Sequence, residues 1–265
     1  MYSAFTISRK FLKYWISASN GKGHGIHSPF VYEFIEKVLN DKKQYECYQP
    51  IETQRKNLLS NNESIEVEDF GAGSTVIKTK KRKINAIAGS SLKPKKYAQL
   101  LFRIAKFYQP KHIIELGTSL GITASYLSSA CPNGKLSSFE GSKAIANIAK
   151  KNLKTTGCNN SEVYIGEFSK TLPEYLKTNN TVDFAFIDGN HKKEPTINYF
   201  NWILEHSNDY TIMVFDDIYW SKEMEEAWES IKKHESVTLS IDLFFIGLIF
   251  LRKEFKVKQH FIIRY

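Results

Sequence analysis

The stretch "HIIELGTSLGIT", His112 to Thr123, decides the fold of this chain. An apolar run reaches Glu115 and Gly117, Gly121 follows four positions later, and "GITASYLSSA" reads as a helix. A buried strand that turns on glycines straight into a helix is the setting of a nucleotide or nucleoside loop. A dinucleotide fingerprint would read G-x-G-x-x-G, whereas here Glu115–x–Gly117–x–x–x–Gly121 puts an acid at the strand end. That acid would repel a pyrophosphate and suits a cationic or hydroxyl-rich ligand. The next strand, "KLSSFE", ends in Glu140, which can accept hydrogen bonds from ribose hydroxyls. A rival stretch, "VEDFGAGST" (Val67 to Thr75), also carries two glycines, but "VIKTKKRKINA" follows it. That is a basic loop without helical periodicity, so Gly71 and Gly73 read as a tight turn.

Outward from His112 the rhythm is regular. Strand-like "KHIIEL", "KLSSFE", "EVYIGE", "VDFAFID" and "YTIMVFDD" alternate with helix-like "GITASYLSSA", "KAIANIAKKNLKTTG", "SKTLPEYLKT", "PTINYFNWILEH" and "SKEMEEAWESIKKH". Gly157 closes the second of these helices. The last has acids early, bases late and a Met224–Ala227–Trp228–Ile231 face. "SVTLSIDLF" and "GLIFLRK" then follow as two strands with no room for a helix between them. The pattern predicts an α/β fold: a doubly wound, Rossmann-like, seven-stranded sheet with an antiparallel terminal strand. Residues 91–265 form that domain in this reading. Residues 1–90 form a basic, mainly helical appendage or substrate cap, with helices at "HSPFVYEFIEKVLND", where Ser28 can cap and Pro29 suits the first position, and at "IETQRKNLLSNN". "KPKKYAQLLFRIAKFYQP" is a further amphipathic helix bounded by Pro94 and Pro110.

Composition sets the outer limits. The 265 residues are 42% hydrophobic and 25% charged, which is globular and not disordered. Three distant cysteines, Cys47, Cys131 and Cys158, suggest free thiols in a reducing compartment rather than a disulfide framework or zinc site. Arg9, Lys10 and Lys13 interrupt the first apolar residues, so no signal-peptide core is visible. The run "LFFIGLIFL" is too short to span a bilayer. A soluble cytoplasmic protein is expected. Residues 1–111 hold 20 Lys+Arg against 9 Asp+Glu, a net of +11, and the remainder nets −2. A basic appendage beside a near-neutral body can attract phosphate, RNA or an acidic lipid surface; a merely solvated lysine-rich surface explains it equally well. No oligomeric state follows from the sequence, and a dimer is compatible with it.

An acid–glycine loop with an acid at the end of the second strand is what an S-adenosylmethionine site needs: a ribose clamp and no phosphate grip. Residues 95–265 resemble the class I S-adenosylmethionine-dependent methyltransferases, "ELGTSLG" being similar to the first motif of that family and "SFEG" to the second. Within it, "FIDGNH" and "VFDDIYW" resemble the small-molecule O-methyltransferases of catechol, caffeoyl-CoA and macrolide-sugar type. The layout that includes "HSPF" and "DFGAGS" resembles a Bacteroidetes-like bacterial branch. The resemblance implies that Glu115, Gly117, Thr118, Ser119, Gly121, Glu140, Gly141, Glu167 and Asp188 hold the cofactor.

Asp188 ends the fourth strand, and Asp216 and Asp217 end the fifth. Carboxylates converging there would repel one another unless a cation or proton intervenes, and oxygen-only ligation suits Mg²⁺ or Ca²⁺. The resemblance to metal-dependent O-methyltransferases implies a divalent ion on Asp188, Asp216 and Asp217 that acidifies a substrate hydroxyl. Asn190 stands where those enzymes often carry a further ligand. Equally, Asp188 can cap its loop or meet the methionine amino group, and Asp216 or Asp217 can bond backbone in the turn. His191 is the candidate general base, with Asp188 beside it. Tyr219 and Trp220 read as an aromatic slot or as core. His24 and His27, at i and i+3 with no acid or cysteine nearby, do not read as a metal site. The expected function is methyl transfer from S-adenosylmethionine to an oxygen of a small molecule. RNA or tRNA methylation through the basic region is the alternative; it lacks the NPPY-type tetrapeptide, since "IDGNH" stands there. A non-catalytic cofactor-binding protein is a third reading, and the glycine spacing disfavours a nicotinamide dehydrogenase.

Overall fold

Alternation of β-branched, aromatic-rich runs with amphipathic runs becomes alternation of strands and helices in the computed structural model, which describes residues 1–68, 81–179 and 181–265. Of the second glycine stretch, Asp69 to Thr75 lies outside the described residues. The chain opens with helices α1 (Ala4–Ser17), α2 (Pro29–Phe34), which runs into a π-helical turn (Ile35–Leu39), and α3 (Tyr48–Ser60). Pro29 takes the first helical position as expected, but Ser28 makes no side-chain cap. A ribbon follows, β1 (Ser64–Glu66) antiparallel to β2 (Lys81–Lys83). The end of the basic run is therefore strand rather than loop. Next come α4 (Ile84–Ser91) and α5 (Lys95–Tyr108).

The expected alternation then appears: β3 (His112–Leu116), α6 (Ile122–Ala130), β4 (Lys135–Glu140), α7 (Lys143–Thr155), β5 (Ser161–Ile165) and α8 (Phe168–Thr178). It continues with β6 (Val182–Ile187), α9 (Lys193–Leu204), β7 (Ser207–Asp216), α10 (Lys222–Lys233), β8 (Leu239–Asp242), β9 (Ile246–Phe250) and β10 (Gln259–Ile262). The main sheet has eight strands, mostly parallel. The seven-stranded expectation falls one short because β10 is four residues long and only half-buried, and follows the exposed Lys256–Lys258 run. So short a half-exposed strand leaves little hydrophobic pattern to read.

Two compact units emerge, Lys42–Tyr175 and Met1–Asp41 with Leu176–Tyr265. In the first, β3, β4 and β5 run parallel in that order. Ile113 to Leu116 are all buried, so both faces of β3 are covered there. Helix α3 is tied to α6 here, for Tyr126 donates to Glu52 at 2.8 Å and Arg55 pairs with Glu52 at 3.0 Å. In the second unit the strand order is β10-β8-β9-β7-β6, with β9 antiparallel to both neighbours. Helix α10 buries Met224, Ala227, Trp228 and Ile231, and Ser221 caps it through Met224 N. The Trp228 indole lies so close to β9 that a Cβ at Gly247 would sit 2.7 Å from it, which is why a glycine stands mid-strand. Helix α1 lays Ile7, Phe11 and Tyr14 against Phe244. Among the described residues, no helix is long and apolar enough to cross a membrane.

Candidate active site

The loop after β3 turns on three left-handed residues, Gly117 (φ 103°), Ser119 (φ 48°) and Gly121 (φ 82°). Glycine adopts that region without steric cost. The N–H groups of Gly117 and Thr118 both donate to the Phe139 carbonyl, at 2.9 and 3.0 Å, which fixes the turn against β4. A Cβ on Gly121 would stand 3.2 Å from the Ala149 backbone, so glycine there lets the start of α6 rest on α7. The Glu140 carboxylate, at the tip of β4, accepts from Ser119 N (2.9 Å) and Ser142 N (3.0 Å). It is held at the loop's edge, with Gly141 half-buried beside it. Ser119 Oγ also lies 2.7 Å from Ser91 Oγ at the end of α4. Beyond β5, the Gly166 N–H donates to the Glu140 carbonyl at 2.9 Å, and Glu167 pairs with Lys170 at 3.0 Å.

Glu115 is fully buried. Its Oε2 accepts from Ser138 Oγ at 2.5 Å, and Ser138 Oγ is 2.5 Å from Thr118 Oγ1. Its Oε1 has no hydrogen-bond partner among the described residues. Burial pushes the carboxyl up to about 8; the Glu140 charge adds to the shift and the Ser138 hydrogen bond opposes it. Burial thus disfavours its charged form, and a cation placed beside it would favour ionisation. Ser138, which the sequence pattern did not single out, props Glu115; its only signal was a polar pair, Ser137 and Ser138, inside a buried strand. The other serine bonds Tyr175 and belongs to the core.

In the second unit, β6 delivers Asp188, Gly189, Asn190 and His191. Asn190 (φ 70°) and His191 (φ 39°) are consecutive left-handed non-glycine residues. Such backbone costs roughly 1–3 kcal/mol per residue and concentrates at functional sites. It brings His191 Nε2 to 3.6 Å from Asp188 Oδ1, beyond a hydrogen bond but within ion-pair range. The His191 ring stands 6.3 Å from that of Trp220, and Asn190 Nδ2 donates to Tyr199 Oη at 3.2 Å. Asp216 ends β7 and is buried. Asp217 is left-handed (φ 51°), and its N–H donates to the Phe245 carbonyl at 2.8 Å. Among the described residues, no three His, Cys, Asp or Glu side chains are gathered as a metal-ligand group, so an ion on Asp188, Asp216 and Asp217 rests on the sequence pattern alone. Tyr219 is core rather than slot: it stacks on Phe244 and donates to the buried Asp242 at 2.6 Å. His24 and His27 sit exposed in the loop before α2.

Residues 114–218 match a family model described as a methyltransferase domain. That stretch, from β3 to just past β7, is therefore similar to a methyltransferase domain. The chain is 32% identical over 126 residues to a catechol O-methyltransferase of Niastella koreensis; the match spans 46% of this chain and 55% of that relative, about half its length. Among solved structures, the O-methyltransferase TomG of Streptomyces achromogenes, in complex with SAM, superposes with a TM-score of 0.57 at 17% identity, covering 84% of this chain and 95% of that one. The SAH-bound methyltransferase PaMTH1 of Podospora anserina gives 0.59 at 10% identity, covering 96% and 98%. At such identities the structural likeness shows the fold alone. The methyltransferase domain match starts inside β3 and ends just past Asp217, so it contains every residue singled out for the cofactor, the base and the metal.

Proposed function

We propose that the chain is an S-adenosylmethionine-dependent methyltransferase acting on a hydroxyl of a small molecule. The observation that carries this reading is Glu115: a buried carboxyl with an unpartnered oxygen beneath a glycine loop whose edge is held by a second acid, Glu140. A phosphate would meet two acids there, whereas a nucleoside bearing a sulfonium and an ammonium meets complementary charge. The names of the relatives, catechol O-methyltransferase above all, support oxygen as the acceptor.

Glu140 and Gly141 would hold the ribose, and Gly117, Thr118, Ser119 and Gly121 would form the loop around it. Glu115 would face the methionine end, with Glu167 as a further contact. When bound, S-adenosylmethionine supplies a methyl group on a sulfonium, open to in-line attack by oxygen. The chain's own task is positioning and deprotonation. His191 takes the proton of the substrate hydroxyl, and Asp188, 3.6 Å away, stabilises the imidazolium that results. Trp220 offers an aromatic wall beside His191. Residues 1–90 serve as the substrate cap.

A divalent ion on Asp188, Asp216 and Asp217 is the other means of acidifying the hydroxyl. Because those carboxylates are not gathered as a ligand group, the histidine reading stands first. The test is transfer of labelled methyl from S-adenosylmethionine to a panel of small hydroxylated aromatics, with tRNA as a parallel acceptor. Label on a phenolic oxygen is expected. His191→Ala should lower turnover far more than cofactor affinity, and chelator should leave turnover intact. Chelator-sensitive activity restored by Mg²⁺ would install the metal instead, and label on tRNA alone would overturn the small-molecule reading.

A further inference from the structure

Helix α1 has two apolar faces, and only one is used. Ile7, Phe11 and Tyr14 pack on Phe244, with Phe11 edge-on to it at 5.1 Å. Phe5, Leu12 and Ile16 are 74%, 59% and 71% exposed. At about 100° per residue these three fall within roughly 40° of arc on the opposite side. Arg9 and Lys13, both exposed, flank that stripe along one edge, and Trp15 borders the other with 44% exposure. Trp15 is clamped at its end of the helix: Arg264 stands over its ring at 5.4 Å and donates to its carbonyl at 2.7 Å. Lys10 is already engaged with Glu225 at 2.8 Å.

Three exposed large apolar side chains in a row on one helix are a patch, not scatter. Charge decides what covers it. Residues 1–32 contain Arg9, Lys10, Lys13 and Lys22 and no acid at all. A second copy docked by its own stripe would bring Arg9 and Lys13 against like charges. A nucleic acid would answer the charges but leave the apolar side chains in contact with phosphate and water. A lipid surface with anionic headgroups answers both, since an interfacial helix sinks its apolar face to the acyl boundary and keeps its cations at headgroup level. Tryptophan and arginine at the flank are the residue types that settle at that depth. The helix is 14 residues long, about 21 Å, a length for lying on a bilayer rather than crossing it.

We infer that the exposed Phe5–Leu12–Ile16 face of α1 docks the protein on an anionic lipid surface. The experiment is flotation of the full chain with vesicles of phosphatidylcholine alone and of phosphatidylcholine mixed with phosphatidylglycerol, at low and physiological salt, with light scattering on the same samples without lipid. Flotation with the anionic vesicles only is expected. Replacing Phe5, Leu12 and Ile16 by serine should abolish it while the melting temperature holds, because the three side chains touch solvent. Arg9→Gln with Lys13→Gln should weaken it by about tenfold or more. Failure to float with anionic vesicles would overturn the inference. So would a dimer in solution that the triple serine variant dissolves, because the stripe would then belong to a second copy.

Discussion

At the residue scale, the buried Glu115 offers the sharpest test of the chemistry. Its carboxyl is raised by burial to about 8 in the folded chain, against an ordinary value near 4.3 once unfolded. The folded state therefore binds a proton that the unfolded state has released between those values. The stability this contributes is fully present below about pH 4 and is lost as pH rises toward 8. Without ligand, the melting temperature of the native chain should drop relative to that of Glu115→Gln as pH rises across that window, the native chain losing more stability there than the variant. A cationic ligand favours the ionised form, so S-adenosylmethionine should release a proton on binding and bind more tightly at pH 8 than at pH 6. Calorimetry in buffers of different ionisation enthalpy measures that proton; none released would remove Glu115 from the binding site. Glu140 carries a separate expectation. A hydrogen bond to a charged group contributes roughly 1.5–3 kcal/mol, so Glu140→Ala should weaken the cofactor by about tenfold to a hundredfold. Part of that loss comes through Ser119 N and Ser142 N, which the carboxylate also holds.

At the scale of elements, the α6–α7 contact depends on Gly121 twice over, through its left-handed φ of 82° and through the 3.2 Å approach of the Ala149 backbone. Gly157 has a similar φ of 75° but nothing within 4 Å of its missing Cβ. Gly157→Ala should therefore cost only backbone strain, about 1–2 kcal/mol, and Gly121→Ala should cost visibly more in a thermal melt. Equal shifts would mean that α6 and α7 are not closely packed. The same contrast explains what was legible beforehand. From β3 to α10 short strand-like runs and longer helix-like runs alternate between turn signals, so type and order could be read directly. Helix α1 escaped because its apolar residues occupy two faces and blur the period, and β10 because four half-buried residues leave almost no pattern. Glu115 and Glu140 stood out as site candidates because they lie at or next to strand ends, and strand ends open on a crevice. Ser138 did not, since a serine in a strand looks like any other. Whether Asp188, Asp216 and Asp217 converge depends on side-chain and turn geometry, such as the left-handed backbone of Asp217, that spacing alone does not carry.

At the scale of the whole molecule, charge separates the candidate acceptors. The net of +11 in residues 1–111 should give weak association with tRNA that falls steeply with salt and shows no preference for structure. Tight, structure-selective binding at physiological salt would favour the RNA reading over the small-molecule one. The proposal turns on whether the loop from Glu115 to Gly121 holds S-adenosylmethionine. Calorimetric titration of the intact chain, and of a Gly117→Val variant whose melting profile shows it folded, tests it most directly. Gly117 has a φ of 103°, which a β-branched residue cannot adopt without distorting the loop. Saturable binding of S-adenosylmethionine to the native chain is expected, with none of NAD, and with the binding lost in Gly117→Val. No binding to the native chain, or binding that Gly117→Val leaves unchanged, would contradict the proposal.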